Sequence, residues 1–169
     1  TLDINGTADF TGATVTGLSA GLFSSYAIIA DQKAQSTDGG TATSGAWRTR
    51  DLNTEISDPD GIVSIATNQF TLAAGTYFIK WIAQTYNTAR QQTRLYNVTD
   101  TTAVAVGTSQ YSYDYAQTSS SGSVRTTIAG SKAFSIEHQC STTVGSNGWG
   151  QSAGFDTEQY TTVEIFKEA

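Results

Sequence analysis

From Thr76 to Tyr86 the chain reads TYFIKWIAQTY, and this run constrains the fold more than any other. Aromatic and β-branched residues follow one another at the period of a strand, where successive side chains point to opposite faces. The alternation does not sort apolar from polar. Tyr77, Ile79 and Trp81 share one face, and Phe78 and Ile82 share the other. A strand in an antiparallel sandwich buries one face in the core and turns the other to solvent. A strand apolar on both faces needs a second cover.

The first and last strand-like segments repeat the problem. Tyr26 and Ile28 oppose Ala27 and Ile29; Tyr160, Thr162, Glu164 and Phe166 oppose Thr161, Val163 and Ile165. No segment carries a capped 3.6-residue apolar repeat, so the chain offers no helix as cover. A second copy of the same protein is the simplest alternative. Tyr26, Ile28, Tyr160 and Phe166 are therefore the candidate interface residues, with Val163 and Ile165 expected inside.

The rest of the chain from Ser25 onward reads as short strands divided by turns. SYAIIADQ, AWRTRDLN, IVSIA, QFTLA, TRLYNVT, SVRTTIAG, AFSIEHQC and EQYTTVEIF are the clearest strand segments. Asp58-Pro59-Asp60-Gly61 is a turn, with Pro59 fixing one φ and Gly61 closing it. Asp38–Gly45, Ala116–Gly122 (AQTSSSG) and the Gly-rich Ser141–Gly154 read as loops. Eight or more strands at this spacing suggest an all-β, antiparallel sandwich or barrel, the jelly roll being a common solution. Residues 21–169 form this sandwich-like domain. Residues 1–20 form a separate stem or linker strip, with Ile4, Phe10, Val15 and Leu18 as isolated apolar points. Such a strip cannot bury a core alone and needs contacts with other chains to be ordered, unless it is a tether.

Composition narrows the function. Nine Lys and Arg against 15 Asp and Glu give a net charge of -6, the wrong sign for a nucleic-acid surface. No apolar run nears the roughly 20 residues of a membrane-spanning helix, so membrane insertion is not expected. Cys140 is the single cysteine, which excludes an intrachain disulfide. The chain starts at Thr1 and has no Met, as expected of a processed product or the C-terminal piece of a longer protein.

The segment NQFTLAAGTYFIKW is similar to the stretch of the tumour necrosis factor and complement globular-head fold where an aromatic strand, a Gly turn and a second aromatic strand succeed one another. TRLYN resembles its next strand and EQYTTVEIF its closing strand. The run AWRTRDLNTEISDPDGIVSIATNQFTLAAGTY, with TRLYNVTD and CSTT, resembles a module at the C-terminal ends of bacteriophage tail-fibre and other virion proteins. LDINGTADFTGATVTGL resembles the repetitive strips that precede such modules. The resemblance implies a homotrimeric virion knob on a phage tail or other virion surface, with Tyr160 and Phe166 near the threefold axis. It implies adhesion to a host receptor; because the acidic chain lacks a basic patch for phosphate-rich polymers, a neutral glycan or an outer-membrane protein is the expected receptor. The N-terminal strip would meet other virion proteins. A purely structural virion part, such as a needle tip or a head or baseplate decoration, is the alternative.

Motifs for chemistry are thin. Gly17-Leu18-Ser19-Ala20-Gly21 matches the nucleophile elbow, but LFSSYAIIAD follows it as a strand where a helix is required. His138 and Cys140 lie two apart on a strand, too splayed for a thiol–imidazole dyad. Asp58 and Asp60 lack the ligand number that calcium requires. No clustered carboxylates suggest a glycoside hydrolase. No enzyme activity, cofactor or metal is expected. Asn97-Val98-Thr99 fits a glycosylation pattern that a bacterially made phage protein would not use. The candidate receptor contacts are Tyr111, Tyr113 and Tyr115, read as a one-sided stripe, and Trp149 at a loop tip flanked by Asn147 and Gln151; the alternatives are core packing or a subunit contact for the tyrosines, and a loop plug or subunit contact for Trp149. An aromatic ring can stack on a sugar, and the amides can bond its hydroxyls.

Overall fold

The computed structural model describes residues 21–169; the expected stem and its contacts lie outside them, as does most of the Gly17–Gly21 motif. The described residues form twelve strands and no helix. In chain order they are β1 (Phe23–Lys33), β2 (Arg48–Thr49), β3 (Thr54–Ser57), β4 (Val63–Ala66), β5 (Gln69–Leu72) and β6 (Gly75–Tyr86). Then follow β7 (Ala89–Asn97), β8 (Thr102–Val106), β9 (Gln110–Ser112), β10 (Gln117–Ile128), β11 (Lys132–Cys140) and β12 (Glu158–Glu168).

All pairings are antiparallel. The first sheet has the order β10-β6-β12-β1-β3. The second has the order β4-β5-β11-β7-β8, with β2 on β11 and β9 on β7. The sheets face each other as a jelly-roll sandwich. The inward faces close on one apolar core of Ile29, Ile79, Trp81, Val163 and Ile165 from the first sheet and Phe70, Leu72, Leu95, Phe134 and Ile136 from the second. Phe70 and Phe134 are cross-strand partners, stacked with ring centres 5.6 Å apart. Each of these side chains contributes on the order of 1.5–3 kcal/mol through its burial.

The two-faced run thus sits at the middle of the first sheet. Tyr77, Ile79 and Trp81 point inward, while Phe78 and Ile82 lie on the opposite face. On that outer face Phe166 pairs with both Tyr26 and Phe78 across the ladder. The rings of Phe23, Phe78 and Phe166 gather within 5.3–6.5 Å of one another. Val163 and Ile165 are fully buried on the inner face, as expected.

Tyr160 corrects the expectation that it shares the outer face with Phe166. The register slips between Asp31 and Gln32, so that Thr161 pairs with Asp31 and Gln159 with Gln32. Tyr160 is the extra residue of a bulge, which shifts the alternation by one. Its side chain turns inward, is 3 % exposed, and donates from its hydroxyl to the Thr37 carbonyl at 2.7 Å.

A second correction concerns Ala116–Gly122. Most of this expected loop is the first half of β10, paired residue by residue with β6. Serine and threonine suit it because they point at polar partners. Buried Ser120 accepts from the Thr93 amide at 3.0 Å and donates to the Thr108 carbonyl at 2.7 Å. Gly122 leaves the space that the Trp81 ring fills, since a Cβ there would lie 2.1 Å from the ring. Conversely, the expected strand AWRTRDLN holds only the two residues of β2.

Candidate functional site

One end of the sandwich gathers the two longest connections, residues 34–47 and 141–157, together with the short turn 113–116. The Gly-rich loop folds back over the end of the core. Backbone bonds tie it to the first connection, from Gly39 to Gly150 and from Trp149 to Gly40, and Val144 and Ala42 bond reciprocally. Gly150 is needed there. Its φ is +135°, and a Cβ would lie 2.2 Å from the Tyr160 ring.

This folding-back buries Trp149, which is 9 % exposed, so it is not a loop tip and its ring is closed to a ligand. The ring stacks on His138 with centres 5.1 Å apart. On it lies the guanidinium of Arg50, 4.7 Å from the ring centre. Arg50 donates to the carbonyls of Gln84 (2.7 Å) and Trp149 (2.9 Å), and to His138 Nδ1 at 3.4 Å. His138 Nε2 in turn donates to the Gln91 amide oxygen, and Gln91 donates to Thr118 at 3.2 Å. Burial, with Arg50 alongside, holds the imidazole pKa well below its ordinary value, so the ring is neutral. Burial also lowers Arg50, to about 10. Cys140 donates to the Thr142 carbonyl rather than to His138, and burial raises its thiol pKa. The residues with the most perturbed environments thus form a structural plug.

Glu158 anchors the other half of the loop. It accepts from the amides of Ala153 (2.9 Å), Gly154 (2.7 Å) and Ser36 (3.1 Å), which hold its carboxyl below the usual range. Asp58 closes its own turn by accepting from the amides of Ile62 and Val63, each at 2.9 Å. Among the described residues no group of three or more His, Cys, Asp or Glu could hold a metal ion. No helix among them is long and apolar enough to cross a membrane.

The surface of this end is aromatic. Tyr111, Tyr113 and Tyr115 are all exposed, the last at 77 %. They are not one stripe. β9 ends at Ser112, and Asp114 and Tyr115 both have positive φ (53° and 64°) in a turn closed by Ala116 N–H to Tyr113 O. The rings of Tyr111 and Tyr113 lie 6.1 Å apart, while Tyr115 stands on the turn itself. Asn147 donates to Gln151 at 3.2 Å, and the Gln151 amide donates to Gln117, two residues beyond Tyr115. The amides and tyrosines of the two segments are therefore neighbours. Phe155, 90 % exposed in the same Gly-rich loop, escaped the sequence reading. It has one glycine beside it, Gly154, where Trp149 has two, Gly148 and Gly150, and so it gave the weaker signal although it is the exposed ring.

No family model matches the sequence, and no curated protein does. Solved structures do match. The globular domain of zebrafish complement 1qA protein shares 16 % identity over 85 % of this chain and 96 % of its own, with a TM-score of 0.54. Murine APRIL at pH 5.0 covers 85 % and 98 % at 6 % identity and 0.56. The PRD1 vertex protein P5 covers 88 % and 100 % at 14 % identity and 0.52. The chain has the jelly-roll fold of the tumour necrosis factor and complement globular-head domains. At such low identities the likeness is one of fold.

Proposed function

We propose that the chain is the globular head of a homotrimeric virion knob that attaches to a host surface glycan. The observation that carries this reading is the outer face of the first sheet. Phe23, Tyr26, Phe78 and Phe166 lie there together, and Ile82 follows on the same face beyond the Lys80–Glu164 ion pair (2.6 Å); Tyr26 and Ile82 are each 44 % exposed. A contiguous apolar patch on a rigid sheet is a surface that another copy covers. Ile28 lies on the same face and Tyr160 does not, so the interface set is Tyr26, Ile28 and Phe166 with Phe23, Phe78 and Ile82. The fold shared with a vertex protein of phage PRD1 supports a virion location.

Attachment belongs to the loop end, where Tyr111, Tyr113, Tyr115 and Phe155 present exposed aromatic surface. Loops on a rigid scaffold vary without disturbing the core, and three copies multiply a weak contact by avidity. The test is fluorescently labelled protein on an array of bacterial surface polysaccharides, with the oligomeric state measured in parallel by light scattering. Retention of a trimer on defined polysaccharides is expected. A trimer that binds none of them, nor whole bacteria, leaves the structural knob without a receptor. The burial of Trp149 favours that second reading, because it removes one aromatic contact from the surface.

A further inference from the structure

On the outer face of the second sheet, beside the loop end, lies a depression of about 510 Å³. Trp47, Arg90, Gln92, Gln110 and Gln139 are among the residues that line it. We propose that this depression binds a carboxylate-bearing sugar, a uronic acid or a related acidic monosaccharide within a glycan. The proposal rests on the attachment reading for its biological use and on the following chemistry for its ligand.

Trp47 supplies the platform. Its ring is backed by the guanidinium of Arg94, 4.4 Å from the ring centre, and Arg94 is fixed in turn by Tyr96 (4.6 Å) and by Glu137 at 2.6 Å. A ring held upright in this way loses little entropy when a ligand stacks on it. The C–H bonds on one side of a sugar ring carry slight positive charge and suit the negative face of an indole. The amides supply the polar contacts. Gln92 donates to the Gly107 carbonyl at 2.9 Å, which fixes the side chain and leaves its oxygen to accept. Gln139, opposite Gln92 in the ladder and half-buried in the depression, can both donate and accept.

Arg90 selects the acidic sugar. The chain has a net charge of -6, yet no carboxylate lines the depression, and the nearby Glu137 is neutralised by Arg94. None of the ion pairs among the described residues includes Arg90. Its guanidinium is therefore an exposed cation with five donors, shaped for a planar carboxylate. A phosphate dianion would call for a second cation, and no other lines the site. Tyr111 stands opposite Arg90 in the ladder, on the same face, and extends the site toward the loop tyrosines. The outer face of the second sheet points away from the first-sheet patch, so assembly through that patch leaves the depression open.

The test is an NMR titration of the uniformly nitrogen-labelled full chain with methyl glucuronide and, separately, methyl glucoside. A single sugar in an open site gives a Kd on the order of millimolar, and the glucuronide should bind about tenfold tighter than the glucoside. The Trp47 indole N–H and the backbone at Arg90 and Gln139 should shift together. Arg90→Gln should reduce the glucuronide to the affinity of the glucoside, and Gln139→Ala should weaken both sugars without altering the fold. Equal affinities, shifts that map elsewhere, or no binding below roughly 50 mM would each overturn the site. Sugar binding here together with a silent polysaccharide array would leave the pocket standing and remove the attachment reading. A positive array with no glucuronide effect does the reverse.

Discussion

The guanidinium of Arg50 lies 4.7 Å above the ring of Trp149 and donates to the same residue's carbonyl at 2.9 Å. One cation thus holds both the side chain and the backbone of the loop that closes the end of the sandwich. It is completely buried without a carboxylate in contact, so its charge is balanced by carbonyl dipoles, the aromatic face and the more distant Asp31 and Asp51. Arg50→Ala should cost about 2–4 kcal/mol in chemical denaturation, because it strands the Gln84 and Trp149 carbonyls. Trp149→Ala should cost a similar amount, about 3–5 kcal/mol, by opening a cavity beside His138. A wild-type midpoint for either variant would show that the loop closes without this stack.

His138 makes the same plug sensitive to acid. The folded protein holds the ring neutral, with its pKa depressed, whereas the unfolded chain takes up a proton near pH 6.5. The unfolded state therefore binds more protons as pH falls below about 6.5, and stability declines at up to about 1.4 kcal/mol per pH unit. The loss continues until the folded-state pKa is reached. Above pH 6.5 the contribution is fully present. The window from pH 6.5 to 5.5 precedes titration of the unfolded carboxylates, including Glu158, whose lowered pKa acts at more acidic values. Melting temperatures across that window should fall for the wild type. His138→Gln should flatten the profile, and an unchanged slope would assign the acid sensitivity elsewhere.

The apolar face predicts assembly. Phe166 pairs with Phe78 and Tyr26 and packs 5.3 Å from Phe23. Phe166→Asp puts an uncompensated charge into that patch. If the patch is a dry interface, the variant should yield monomers, at a cost of several kcal/mol per site. Val163 and Ile165 lie on the other face, so the monomer should keep its strand circular dichroism. Light scattering at micromolar concentration checks this. A monomeric wild type would leave the patch to another partner.

The strands were legible where side chains alternate against a uniform environment. TYFIKWIAQTY announced both of its faces, and Val163 and Ile165 went inside as their spacing required. Tyr160 was misplaced because a bulge leaves no mark in the pattern itself, and one extra residue inverts every position beyond it. AQTSSSG looked like a loop because serine and threonine favour turns in isolation. Their partners Thr93 and Thr108 lie on other segments, and only the fold brings them together. The depression beside Trp47 was invisible for the same reason. Trp47, Arg90 and Gln139 are far apart in sequence and share a site only through the order of the second sheet.

Tyr115 offers the cleanest test of attachment, because its removal can be separated from damage to the fold. Its φ of 64° lies where most side chains are disfavoured and glycine is at ease. Asp114 before it is also left-handed, so the pair forms the tight turn that favours Asp-Gly. Tyr115→Gly should therefore keep the turn and leave stability unchanged or raised by a few tenths of a kcal/mol. The same substitution removes a ring that is 77 % exposed and contributes nothing to the core. A truncated aromatic contact at the centre of a binding surface typically costs more than about 1 kcal/mol, or roughly fivefold per site. In the proposed trimer, three sites compound that loss through avidity. The expected result is an intact trimer with an unchanged melting temperature and at least a tenfold loss of polysaccharide binding. Tyr113→Ala, which leaves the turn in place but uncovers Tyr111, should show a smaller loss of the same kind. Full binding by both variants would move attachment away from this turn, toward Phe155 or the Trp47 depression.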